Sequence, residues 1–202
     1  MYENMVISTE ALNERLSSLP TRRPRLIYSG RYEPMKGALD VVEVGLELLR
    51  IGVDFDLDLY GKGDQAQLMR DRVCEAAAGE KIRVHDAVPY PQLLEISRAS
   101  DVFICCHVQD DPSCSYIEAF GAGLVVAGYD NRMWRSLSRE AESGIVTPLG
   151  NPAECAQAIA ALLADKDQFE RFSRRAREFA LAHCFEKEFS KRIEAILPLC
   201  KV

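Results

Sequence analysis

The sequence predicts an α/β domain: a doubly wound, Rossmann-like parallel sheet of about six strands, followed by a helical C-terminal tail. Three observations lead there. Short apolar runs alternate along the chain with longer stretches of helical periodicity, the signature of βαβ units. The run Val102-Phe103-Ile104-Cys105-Cys106 is apolar without alternation, as a strand covered on both faces requires. From residue 151 onward the pattern is helical throughout.

The elements follow in order. Residues 9–18 carry a short helical pattern with Leu12 and Leu16 on one face, and Pro20 to Pro24 read as a linker. The apolar run from Arg25 to Ser29 predicts the first strand, ending at Gly30. Residues 35–50 predict a helix burying Leu39, Val42, Leu46 and Leu49. Phe55 to Tyr60 is the second strand, closed by Gly61-Lys62-Gly63, and residues 64–78 the next helix. A strand over 81–85, a helix over 91–99, a strand over 101–106 and a short helix over 114–122 come next. Residues 124–127 and 143–147 supply the last strands, with Trp134 packing from a helix after Asp130. The tail opens on Asn151-Pro152-Ala153-Glu154, where Asn caps, Pro suits the first helical position and Glu154 completes a capping box. Ala156, Ile159, Ala160 and Leu163 form its buried stripe, and two more helices follow near 167–182 and 186–197. The expected organisation is an N-terminal helix and linker over 1–23, a core over 24–150 and tail helices over 151–202.

Composition narrows the function. The chain has 202 residues, 48% apolar and 28% charged, and a net charge of −6, which argues against nucleic-acid binding through bulk electrostatics. No apolar run is long enough for a membrane span, and no secretory leader pattern is visible at the start, so a cytoplasmic protein is expected. Seven cysteines, none in a CxxC pair, match neither a disulfide framework nor a zinc site and read as reduced thiols. His183 reads as structural, and His107 either as structural or as a contact at the ligand end of its strand.

Three segments carry chemistry. Gly30-Arg31-Tyr32-Glu33-Pro34-Met35-Lys36-Gly37 joins a strand end to a helix start, where ligands of open α/β sheets bind. Free N–H groups of a helix N-terminus together with Arg31 and Lys36 would make a diphosphate clamp. Gly61-Lys62-Gly63 follows another strand, but neither a full GxGxxG fingerprint nor a Walker A sequence is present. The third segment runs from Asp110 through Pro112-Ser113-Cys114-Ser115 to Glu118-Ala119-Phe120-Gly121-Ala122-Gly123. Pro112 and Ser113 can open a helix, which sets Glu118 in its second turn among apolar neighbours. A carboxylate there needs hydrogen-bond donors, and sugar hydroxyls are such donors. Asp56 and Asp58 form an Asp-x-Asp pattern inside a strand and read as its polar face, not as a metal pair.

Taken in this order, the pieces resemble the C-terminal, nucleotide-sugar-binding half of family 4 "group 1" retaining glycosyltransferases of the GT-B fold, from about Arg25 to Leu197. The matching residues are Gly30-Arg31 with Lys36-Gly37, Tyr60-Gly61-Lys62-Gly63, Asp101-Val102-Phe103, Glu118-Ala119 and Gly144-Ile145-Val146. Such proteins usually carry Glu-x7-Glu, and here the first position is Asp110, one methylene shorter. The resemblance implies that Arg31 and Lys36 hold the donor diphosphate, Glu118 the ribose and Asp110 the transferred sugar. It places backbone N–H groups around Ser113, Cys114 and Ser115 at the sugar and phosphates, the base against the loop ending at Val88, and Gly30 and Gly61 beside the donor. The implied reaction is metal-independent hexosyl transfer from a nucleoside diphosphate sugar to an acceptor hydroxyl, with retention and without a cofactor.

GT-B enzymes have two such halves, so the expected partners are the nucleotide sugar and an N-terminal acceptor domain, in cis or as a separate subunit. Alone, the chain is expected to be weakly active or inactive. Its last helix resembles the segment that crosses to the other half, leaving Phe189 and Ile193 open or paired with another copy. Similar transferases work at membranes, so peripheral association with an inner membrane face is a further expectation, although Arg171, Arg174, Arg175 and Arg177 are interleaved with acids. The competing readings are a non-catalytic interaction module on the same fold and an epimerase-like domain.

Overall fold

Six strands form one fully parallel sheet in a computed structural model that describes residues 22–110 and 114–200. They are β1 (Arg25–Arg31), β2 (Asp56–Lys62), β3 (Ile82–Asp86), β4 (Val102–Cys105), β5 (Val125–Tyr129) and β6 (Ile145–Thr147), in spatial order β3-β2-β1-β4-β5-β6. The chain builds outward from β1 to β3, returns to the middle at β4, and builds outward the other way. The order therefore reverses between β1 and β4, and a crevice opens beyond their carboxyl ends.

The helices are α1 (Ala38–Arg50), α2 (Ala66–Glu75), α3 (Tyr90–Arg98), α4 (Cys114–Gly121), α5 (Arg132–Ala141), α6 (Pro152–Ala164), α7 (Lys166–Ala182) and α8 (Phe185–Ile196). Strand side chains alternate between two cores. Leu26, Tyr28, Leu57, Leu59, Val102 and Ile104 point to the side of α1, α2 and α6. Ile27, Phe103, Cys105 and Val126 point to the side of α4, α5 and the end of α7, around a fully buried Trp134. Cys105 and Cys106 are core thiols, as expected. Trp134 stacks on Tyr116 and donates from its indole to the Ile145 carbonyl at 2.9 Å.

Beyond β1, toward the β3 edge, the second face turns polar. Asp58 on β2 takes two hydrogen bonds from Arg83 on β3, at 2.7 and 2.9 Å, and a third contact from His85 at 2.7 Å. The Asp-x-Asp pattern is thus a polar strand face paired across the sheet.

Helix α1 differs from its prediction. A 3-10 turn, Pro34–Lys36, precedes it, and its buried face centres on Ala38, Val41, Val42, Gly45 and Leu48, with Leu39, Leu46 and Leu49 at the margin. Gly45 explains the rotation: a Cβ there would meet Ile82 at 2.7 Å and Leu57 at 2.9 Å, so the helix turns its glycine to the sheet. The tail helices form where expected, but the buried stripe of α6 is Cys155, Ala156, Ile159 and Leu162, with Ala160 and Leu163 at its margin. The Asn151 side chain accepts from the Glu154 N–H at 3.1 Å and donates to the Glu154 carboxylate at 2.6 Å. His183 stacks on Phe179 and pairs with Glu188. Helix α8 leaves Phe185, Phe189 and Ile193 exposed. Among the described residues, no helix is long and apolar enough to cross a membrane. The helix expected over 9–18 lies outside the described residues.

Candidate functional site

Beyond the carboxyl ends of β1 and β2 lies a cavity of about 390 Å³. Gly30 and Arg31 at the end of β1, Lys36 from the following turn, Gly61 at the end of β2, Val88 after β3, and Cys114, Ser115 and Glu118 of α4 all line it. These are eight of the ten residues singled out in the sequence.

The backbone explains how Lys36 comes to be there. Gly37 is in the left-handed region (φ 57°), and a Cβ on it would run into the carbonyl oxygen of Cys106. Only glycine lets the chain pass so close over the end of β4. This passage seats Lys36 at 8% exposure beside the sheet. Burial, and then the charge of Arg31, pull the Lys36 pKa below its ordinary value. Arg31 is half-exposed, and its guanidinium lies 2.8 Å from the Glu33 carboxylate.

His107, just past β4, feels the same field. Burial first, then the positive charges of Lys36 and Arg31, push its pKa down to about 3, so it is neutral at physiological pH. Its Nδ1 lies 3.4 Å from the Tyr116 hydroxyl, and its carbonyl accepts from Asn131 at 3.1 Å. The site is a cationic region in which burial makes positive charge costly, and an anion would relieve that cost.

Helix α4 supplies the opposite wall. Its first residues, Cys114 and Ser115, face the cavity with the positive end of the helix, and Glu118 follows one turn on. Burial raises the Glu118 pKa, while the neighbouring Tyr90 hydroxyl, which borders the same small pocket, opposes the rise. The Cys114 thiol is pushed up by burial and by the charge of Glu118.

Two predicted residues stand apart. Ser113 lies outside the described residues. Asp110 does not line the cavity: its carboxylate accepts from the Arg132 N–H at 2.6 Å, at the start of α5. The free N–H groups of that helix end are a strong competitor for a short carboxylate. Gly61 also has a reason other than the one expected. A Cβ there would collide with the Gly30 carbonyl, so the glycine is required by the contact of β1 with β2.

The sequence assigned no site role to Ser29, Tyr60, Lys62 and Leu93, which also line the cavity. Tyr60 stacks on His85 at 4.6 Å. Tyr60 and Lys62 flank Gly61 in the motif already noted, which was the available signal. No sequence pattern pointed to Tyr90.

Comparisons with known proteins bear on this geometry. A family model described as "Glycosyl transferases group 1" matches residues 11–179. A phosphatidyl-myo-inositol mannosyltransferase from Mycobacterium leprae is 28% identical over 160 residues, covering 78% of this chain and 42% of the relative. The chain therefore spans less than half of that relative's length. Among solved structures, TarM of S. aureus, crystallised in a complex that includes UDP, matches with a TM-score of 0.74 at 16% identity, over 93% of this chain and 38% of its own. The C-terminal domain of the group 1 family protein LpcC from Francisella tularensis matches with a TM-score of 0.74 at 14% identity, over 89% of this chain and 99% of its own. These structural matches show the shared fold.

Proposed function

Because the chain belongs to the group 1 glycosyl transferases, we propose that it is the donor-binding half of a retaining, metal-independent enzyme that transfers a sugar from a nucleoside diphosphate sugar. The observation that carries this reading is the convergence of Arg31, Lys36, the start of α4 and Glu118 on one cavity.

The chemistry follows from charge. Breaking the glycosidic bond leaves negative charge on the nucleoside diphosphate. Arg31, Lys36 and the N–H groups at the start of α4 are preorganised to stabilise it, doing the work a divalent cation would do. Arg31 can take phosphate oxygens in a bidentate fashion, while Lys36 acts as a point charge. Glu118, kept among apolar neighbours, accepts the ribose hydroxyls, and the base lies toward Val88. Asp110 reaches the transferred sugar only by leaving the Arg132 N–H. The acceptor half is contributed by another part of the full-length protein or by a separate subunit, and this chain alone turns over weakly or not at all.

Titration calorimetry of the chain with UDP, GDP, ADP and CDP tests the reading. At least one should bind, and Arg31→Ala should weaken that binding about tenfold, as expected for loss of a hydrogen-bonded charge. Absence of binding at millimolar concentration would favour an interaction module on the same fold.

A further inference from the structure

A row of three side chains crosses the sheet beside the cavity. Ser29 on β1, Tyr60 on β2 and His85 on β3 are paired in register, so they stand on one face of the sheet. Tyr60 and His85 stack with ring centroids 4.6 Å apart and planes 12° from parallel. That separation is close to the ~4.8 Å spacing of neighbouring strands, so each ring faces along the row. One face of Tyr60 is therefore covered by His85. The other looks toward β1, where Ser29 is too short to cover it, and Ser29 and Tyr60 both line the cavity. His85 is held in turn: its Nε2 lies 2.7 Å from the Asp58 carboxylate, which Arg83 grips at 2.7 and 2.9 Å.

We propose that the uncovered face of Tyr60 is a stacking platform for the nucleobase of the donor, with His85 as its positioning residue. This rests on the donor-site reading above. The cavity is cationic at Arg31, Lys36 and Lys62, but Tyr60, Ala87, Val88 and Leu93 give it an apolar stretch of lining. A nucleoside diphosphate has the same two characters, an anionic chain and a flat aromatic ring. Glu118 lines the same cavity, so a base lying on Tyr60 keeps its ribose in the chamber that holds the carboxylate. Every base has a π-face, so the platform supplies affinity without choosing among bases. The His85 stack and its Asp58 contact fix the ring before the ligand arrives, which lowers the ordering cost of binding.

The test measures binding of UDP, GDP, ADP, CDP and inorganic pyrophosphate by the parent chain, Tyr60→Phe, Tyr60→Leu and Tyr60→Trp. Tyr60→Phe should bind the parent's preferred nucleotide as the parent does, and Tyr60→Leu about tenfold more weakly, with pyrophosphate binding unchanged in both. Tyr60→Trp should still bind the nucleotide, and its added indole fluorescence should be quenched by the nucleotide but not by pyrophosphate. The chain's own tryptophan, Trp134, is fully buried, and the parent supplies its signal for subtraction. His85→Ala should weaken nucleotide binding in the parent but have no further effect in a Tyr60→Leu background, which separates positioning from a folding defect. Nucleotide binding by Tyr60→Leu equal to the parent's, or loss of pyrophosphate binding in step with nucleotide binding, overturns the platform and leaves the donor site standing. If the parent binds none of the four nucleotides, the donor-site reading falls and the platform with it.

Discussion

Lys36, proposed above as a donor-diphosphate contact, sits where the fold disfavours its charge. Its ammonium is buried beside a guanidinium, and its lowered pKa means the fold disfavours its charge relative to the unfolded chain. Lys36→Met keeps the apolar stem and removes that charge. The variant should melt at a higher temperature than the parent in a thermal scan, yet bind nucleoside diphosphates at least about tenfold more weakly. His107 yields a pH prediction of definite sign. Its folded pKa of about 3 lies below the ordinary 6.5, so under acid the unfolded chain binds a proton that the folded chain refuses. Above pH 6.5 the residue contributes no pH dependence. Between pH 6.5 and 3 it removes stability as pH falls, with a slope of up to about 1.4 kcal/mol per pH unit. Urea denaturation at pH 7 and pH 5 should show a smaller loss for His107→Gln than for the parent. An equal loss in both would mean that His107 is not the group being titrated.

Among the elements, legibility followed locality. The strands at Arg25, Val102 and Val125 showed in the sequence because a doubly covered strand must be apolar on both faces over a short span. The cap of α6 showed because Asn151 and Glu154 interact within a single turn. Asn151→Ala should therefore cost about 1 kcal/mol in equilibrium unfolding, with no change in ligand affinity, since α6 does not line the cavity. The rotation of α1 was not legible. Leucine spacing over 35–50 pointed to a face that the 3-10 turn, Gly37 and the approach of Ile82 to Gly45 then turned aside. Asp110 showed the converse. Its place in the motif was plain, but the nearby start of α5 offers its carboxylate a partner that the motif does not contain.

On the scale of the whole molecule, the site exists because the sheet order reverses between β1 and β4, and that junction is fastened at its other end by Asp101. This carboxylate is fully buried just before β4. It accepts from the Arg25 N–H at 2.7 Å and from the Arg22 guanidinium at 3.0 Å, and Arg22 also donates to the Ala99 carbonyl at 2.9 Å. One acid thus ties the entry of the first strand, whose carboxyl end lines the cavity, to the entry of the fourth, which leads on to α4. Asp101→Ala orphans the buried Arg25 N–H and strips Arg22 of its carboxylate partner, and should cost about 3 kcal/mol in urea unfolding. Arg22→Ala removes a partner that is 37% exposed, so the Arg25 N–H still holds the carboxylate and the cost should be about 1 kcal/mol. The two substitutions should combine to less than their sum, because they share one partner. If Asp101→Ala costs no more than Arg22→Ala, the tie is peripheral and the register of β1 on β4 is held by the backbone bond from the Asp101 N–H to the Arg25 carbonyl and by the strand pairing at Leu26–Val102 and Ile27–Phe103.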